Sequence, residues 1–140
     1  MKYDFLDRLG IKEINLGASY GEWIKKSCGM TIPSMNPSTN EVIAHIDLAG
    51  SYEYEVVLEK AEKAFLKWRM IPMPERGLIV REMCNEIAKH KEDLGKLIAL
   101  EMGKIAREGE GEVQEIIDLE QYTSGLARGP KGVMLPSERE

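Results

Sequence analysis

The sequence has little of what several functional classes require. Its two cysteines, Cys28 and Cys84, show no Cys-x-x-Cys spacing and no flanking histidines, so neither a zinc site nor a disulfide framework is indicated. No apolar run approaches the roughly 18 residues of a membrane span, and the N-terminus lacks the basic-then-apolar pattern of a signal peptide. We therefore expect a cytoplasmic protein with reduced thiols and no membrane partner.

An excess of basic residues is also missing. The chain has 24 acidic and 19 basic residues, a formal net charge of -5 and a pI near 5.2. Because nucleic acids bind to a clustered basic face, and the basic residues here alternate with acidic ones, we expect no nucleic-acid partner. Of the 140 residues, 43% are hydrophobic. We therefore expect one globular unit that buries roughly two-thirds of the surface that the unfolded chain exposes.

The hydrophobic pattern predicts a mostly α-helical chain with an N-terminal β-hairpin. A short helix running to Leu9 with Gly10 as its cap begins the chain. Residues 21–50 read as extended segments joined by a turn at 36–40, where Asn and Ser side chains support turn backbone and Pro fixes φ. The tail, residues 126–140, is predicted to contain a turn and then a short strand at Val133 to Leu135.

Apolar residues at helical spacing predict four helices within residues 51–125. The first is strongly amphipathic, with Val57, Ala61 and Phe65 among the residues on its apolar face. Caps, prolines and glycines set the expected ends of all four. We expect Ser51 as the N-cap of the first helix, Pro74 at the first position of the second, Asp93 to Met102 followed by Gly103 as the third, and Glu108 or Gly109 to about Ser124 as the fourth.

Few side chains offer chemistry on their own. Cys84 shares a helix face with apolar residues and is interpreted as an inert core thiol. Cys28, beside two lysines in a predicted loop, is better placed for reaction, but a nucleophile also needs an orienting base. His45 and His90 have no carboxylate or histidine at ligand spacing. No catalytic residue and no metal ligand is therefore assigned.

The segment from Leu100 to Gln121 holds the remaining candidates. Gly109-Glu110-Gly111 lacks a third glycine and follows a helix instead of a strand, so a dinucleotide-binding loop is not indicated. Glu115 differs from its acidic neighbours because Ile116 and Ile117 follow it directly, and we expect it to point partly inward. Because a half-buried carboxylate is costly unless it pairs with a cation, an inward-pointing Glu115 would favour a functional role. The alternative is that Glu115 belongs to a solvated helix face.

Several stretches follow one another in a characteristic order and spacing. They are 36–44, 56–68, Glu75-Arg76, Leu100-Glu101-Met102-Gly103-Lys104, Gly111-Glu112-Val113-Gln114-Glu115 and Leu135-Pro136-Ser137-Glu138-Arg139. Together they resemble the N-terminal part of the aldehyde dehydrogenase superfamily over roughly residues 15–140. Within the superfamily the resemblance is closest to the antiquitin-like α-aminoadipic semialdehyde dehydrogenases.

The resemblance implies an α/β fold and NAD(P)-dependent oxidation of an aldehyde to an acid through a cysteine thiohemiacetal. It places the nucleophilic cysteine, the general base and the cofactor-binding residues after Glu140, so we expect no catalysis, no bound cofactor and no complete nucleotide-binding sheet in this chain alone. One position carries over. In antiquitin-like enzymes the second glutamate of Gly-Glu-Val-Gln-Glu contacts the amino group of the substrate, and here that residue is Glu115.

The resemblance also implies partners. Family members continue after their last N-terminal helix into an inter-subunit β-hairpin, which makes residues 126–140 the start of an oligomerisation strand. The expected partners are a second copy of the chain or a complementary C-terminal polypeptide. Residues 1–20 are interpreted as an N-terminal extension. The alternative to an enzyme fragment is a non-catalytic module that self-associates, or a truncated remnant without activity.

Overall fold

The computed structural model describes residues 2–25, 29–129, 132–137 and 139. Within them the chain is mostly helical with a small open sheet, as predicted. None of the helices in these residues has the length and apolar character needed to cross a bilayer. The elements are α1 (Asp4–Arg8), β1 (Ile14–Leu16), β2 (Thr31–Met35), β3 (Val42–Asp47), α2 (Ser51–Trp68), α3 (Met73–Lys89), α4 (Lys91–Met102) and α5 (Ala106–Leu126).

The predicted hairpin is present as β2 and β3, which pair antiparallel. Its turn is held as the sequence indicates, because Asn36 Oδ1 accepts a hydrogen bond from the amide of Ser38 at 2.9 Å. The amide of Asn36 donates to the carbonyl of Glu41 at 2.9 Å, and Asn40 takes a φ of 60°, a value that Asn tolerates better than most residues.

The sheet has a third strand that the sequence analysis did not predict. β1 pairs in parallel with β3, which places β3 in the centre of the order β1-β3-β2. Residues 2–16 therefore supply α1 and β1 to the folded unit. Leu6 of α1 is only 1% exposed. Gly10 follows the helix with a φ of 73°, in agreement with its predicted capping role.

All four predicted helix starts shift by one to three residues, since α4 begins at Lys91 instead of Asp93 and α5 at Ala106 instead of Glu108 or Gly109. Gly50, not Ser51, is the N-cap of α2, and its amide donates to Glu53 Oε2 at 2.8 Å. α3 begins at Met73, with Pro72 as N-cap and Pro74 in the second position. Pro74 fits there because amides throughout the first turn lack helical acceptors.

α5 lies against both α4 and α3 through close contacts at glycines. A Cβ added to Gly109 of α5 would lie 2.1 Å from the carbonyl oxygen of Gly95 in α4. On the other side, a Cβ added to Gly77 of α3 would lie 2.8 Å from Ala127 Cβ. Val113, between these contacts on α5, is 1% exposed. The three helices therefore form one tightly packed group.

α2 and the tail lack such packing. The predicted apolar face of α2 is largely exposed, since Ala61, Ala64 and Phe65 are exposed and Phe65 is at 55%. The strand expected at residues 133–135 is not formed among the described tail residues, and Met134 is 94% exposed. Because a strand needs a neighbouring backbone to pair with, the tail's sequence pattern alone does not produce one.

Candidate functional site

The outer face of α5 carries the predicted site residue. Glu115 is exposed, so the expectation that it points partly inward is wrong. The reason is helical geometry, because Glu115 lies about 200° around the axis from Val113, which faces the core. At positions i+4, i+7 and i+11 from Glu115, the same outer face presents Leu119, Tyr122 and Leu126, which are 60%, 65% and 49% exposed.

Neighbouring polar groups on α5 are engaged with other side chains. Lys104, just before the helix, pairs with Glu112, and this hydrogen bond raises the pKa of Lys104 above its ordinary value, against a smaller opposing effect of burial. Gln114 accepts from Lys91 Nζ at 2.7 Å and donates to Asp118 Oδ1 at 2.7 Å. These contacts fix the orientation of α5 relative to α4.

Glu115 differs from the other acidic residues of α5. Glu112 is paired with Lys104, and Glu120 is 10% exposed at 3.6 Å from Arg81 Nε. In the part of the chain that the structure describes, Glu115 forms no ion pair. A solvated carboxylate beside exposed apolar side chains is suited to bind an ammonium group once another surface covers it.

The structure describes one cysteine, Cys84, and both histidines. Cys84 of α3 is half-buried, not fully buried as expected, because the helix face it shares with Met83 is not covered, and Met83 is 61% exposed. Cys28 lies outside the described residues. His45 lies in β3, whereas His90 Nε2 is 3.5 Å from Glu86 Oε1 at the α3–α4 junction. Among the described residues, no cluster of three His, Cys, Asp or Glu forms a metal site.

Gly109 and Gly111 both lie inside α5, so they do not form a phosphate-binding loop between a strand and a helix. Their environments differ sharply, because Gly109 contacts α4 whereas a Cβ added to Gly111 would meet nothing within 4 Å. The packing role of Gly95 and Gly109 was not predicted. The predicted helices place Gly95 in the first turn of the third helix and Gly109 at the start of the fourth, where a glycine is not unusual, so the sequence carried little signal of a close helix contact.

The fold and the positions of these residues agree with one family. The family model described as "Aldehyde dehydrogenase family" matches residues 23–140. The chain belongs to the aldehyde dehydrogenase family. This confirms the relationship inferred from the motifs.

Curated relatives agree with the subgroup as well. The chain is 46% identical over 136 residues to aldehyde dehydrogenase family 7 member A1 of Pisum sativum, which covers 96% of this chain and 26% of that protein. It is 43% identical over 138 residues to α-aminoadipic semialdehyde dehydrogenase of Rattus norvegicus, covering 99% of this chain and 25% of that protein. The chain thus spans about a quarter of the length of the curated relatives it matches.

Solved structures show the same fold. A point mutant of betaine aldehyde dehydrogenase from Staphylococcus aureus in complex with NAD+ superimposes with a TM-score of 0.76 at 28% identity, covering 87% of this chain and 25% of that one. An apo form of the same enzyme, carrying one substitution, gives a TM-score of 0.83 at 26% identity over 99% of this chain and 28% of that one. The α/β family assignment is confirmed, and nicotinamide cofactors occur in structures with this fold.

Proposed function

We propose that this chain forms the N-terminal part of a catalyst that oxidises an amino-bearing semialdehyde to the corresponding acid with NAD or NADP. The proposal is supported by the family membership, by the semialdehyde dehydrogenases among its relatives, and by the outward position of Glu115. The relatives are about four times as long, so the chemistry would be completed by a polypeptide segment that follows in them.

In the proposed reaction, a cysteine from that further segment adds to the aldehyde carbon and forms a thiohemiacetal. A nicotinamide cofactor held by that further segment would supply the hydride acceptor, and base-assisted attack of water on the resulting thioester would release the acid. We assign no chemical role in these steps to Cys84 or to any other described residue of this chain. The chain contributes shape and charge to the site, and alone it should produce no NADH.

Glu115 carries the proposal. Its carboxylate is exposed, and in the structure it is not neutralised by a described lysine or arginine. A carboxylate opposite an ammonium group selects substrates that carry an amino group, because a neutral analogue would leave the charge desolvated and unpaired. The adjacent Leu119 and Tyr122 provide apolar surface on the same face.

A chimera tests the activity. In it, this chain replaces the matching quarter of the Pisum sativum relative, to which it is 46% identical. The proposal predicts NADH formation with α-aminoadipic semialdehyde by the chimera and none by the isolated chain. A folded chimera that binds NAD but does not turn over would contradict the proposal, as would NADH formation by the isolated chain.

We also propose a cytoplasmic location, and either the complementary C-terminal segment or a second copy of the chain as partner. The exposed apolar faces of α2 and of the tail support the need for a partner, because exposed patches of this kind mark association surfaces. Size-exclusion chromatography of the isolated chain and of the chimera would distinguish the two partners. If the isolated chain and the chimera both self-associate, a second copy of the chain is supported as the partner.

A further inference from the structure

The N-terminal residues lie across the sheet and α4. At their start Lys2 forms an exposed ion pair with Glu41 at 2.5 Å, and two further attachments follow. Residues 2–16, called the clasp from here on, contain α1 and β1. At the first attachment, Arg8 donates from Nε and Nη2 to the two carboxylate oxygens of Asp93 at 2.8 and 2.6 Å. At the second, β1 pairs with β3, and the amide of His45 donates to the carbonyl of Glu13 at 2.9 Å.

Between these two attachments the clasp is not packed closely against the body. Gly10 takes a φ of 73°, and the amides of Gly10 and Ile11 donate to the carbonyls of Asp7 and Leu6, so the turn is held to α1 and not to the body. An open groove of about 450 Å³ lies between the clasp and the body. Ile11 and Ile14 line its clasp side, and Ile46 and Leu97 line the opposite side.

The apolar anchor of the clasp is Leu6, which is 1% exposed. The ion pair adds less, because Arg8 remains about half exposed, and exposed ion pairs contribute little to stability. The free energy that holds the clasp therefore comes mainly from one leucine and three residues of parallel strand pairing. Segments with so few buried contacts open at lower free energy than a packed core.

We propose that the clasp is a strap that opens as a unit while the β2–β3 hairpin and α3–α5 stay folded. Opening uncovers the groove and the edge of β3 that β1 now occupies. The family match begins at residue 23, so the clasp lies outside it, and the inference does not depend on the proposed function.

Two nearby amides report on the opening separately. His45 N–H donates to the clasp, whereas Leu48 N–H donates to the carbonyl of Met30 at 2.8 Å, on the hairpin side. Hydrogen exchange measured by NMR on the whole chain should therefore give faster exchange at His45 than at Leu48. Arg8→Gln should accelerate exchange at His45 by about two- to fivefold and leave Leu48 unchanged. Lys63→Gln, which breaks an ion pair within α2, should change neither.

Leu6→Ala gives the larger effect and should accelerate exchange at His45 by more than about 30-fold. If that variant does not fold, Arg8→Gln decides the question alone. Equal acceleration at His45 and Leu48 would show that the clasp unfolds together with the hairpin and would overturn the proposal. An unchanged rate at His45 in Arg8→Gln would also overturn it.

Discussion

α5 and α2 are both amphipathic helices of similar length, yet their surroundings differ. α5 contacts α4 through Gly109 and buries Val113 to 1% exposure, whereas α2 leaves Phe65 55% exposed. The comparison shows that apolar periodicity establishes a helix but does not determine what covers it. The helices that pack on α5, α3 and α4, belong to the described chain. On α2, most of the apolar face is not contacted by other described residues.

The largest expected effect concerns the α4–α5 contact. Gly109→Ala places a Cβ 2.1 Å from the carbonyl oxygen of Gly95, so the helices must separate, and we expect a loss of about 1–3 kcal/mol in the free energy of unfolding. Urea denaturation followed by circular dichroism measures it.

Gly111→Ala is the matched control on the same helix. Its Cβ meets nothing within 4 Å, and alanine is about 1 kcal/mol better than glycine inside a helix, so this variant should be as stable as the parent or more so. If both variants lose stability equally, close packing at Gly109 is not what distinguishes α5.

A second prediction compares truncations in the two helices. Val113→Ala removes two buried methyl groups and should cost about 1.5 kcal/mol or more. Phe65→Ala removes a larger side chain from α2 but should cost less, because Phe65 is 55% exposed. The free energies of unfolding of the two variants decide this. A larger loss for Phe65→Ala would mean that α2 is packed in solution.

The third and smallest effect depends on pH. The hydrogen bond from Arg8 lowers the pKa of Asp93 below its ordinary value of 3.8, burial opposes this, and the charges of Lys96 and His90 assist it more weakly. Because the pKa is lower in the folded state, the Asp93 carboxylate contributes stability above pH 3.8, and this contribution is lost as the pH falls through the lowered value.

Asp93→Asn should therefore be slightly less stable than the parent near neutral pH, and the difference should shrink below pH 3.8 and vanish once the pH has fallen through the lowered pKa of Asp93. Thermal melts over this range measure it. Arg8→Gln should give the same pH dependence, because it removes the other half of the pair. A difference that grows in acid would contradict the assigned direction of the shift.

The sequence predicted the hairpin and the helices because their signals are local. The Asn36 turn and the Gly103 cap, with its φ of 69°, act within a few residues. β1 was missed because a three-residue parallel strand has no local signature and depends on β3, about 30 residues later. The outward direction of Glu115 was missed because adjacent isoleucines do not reveal which side of α5 meets α4.

The selectivity of the chimera tests the central claim most directly. In the chimera, Glu115→Gln should lower kcat/KM for α-aminoadipic semialdehyde by about tenfold or more, since a charged hydrogen bond to the ammonium is lost. It should leave kcat/KM for an aldehyde without an amino group unchanged. Glu82→Gln, at an exposed position of α3, is the control and should change neither value. An equal loss for both aldehydes, or no loss for either, would contradict the role of Glu115 in substrate selection.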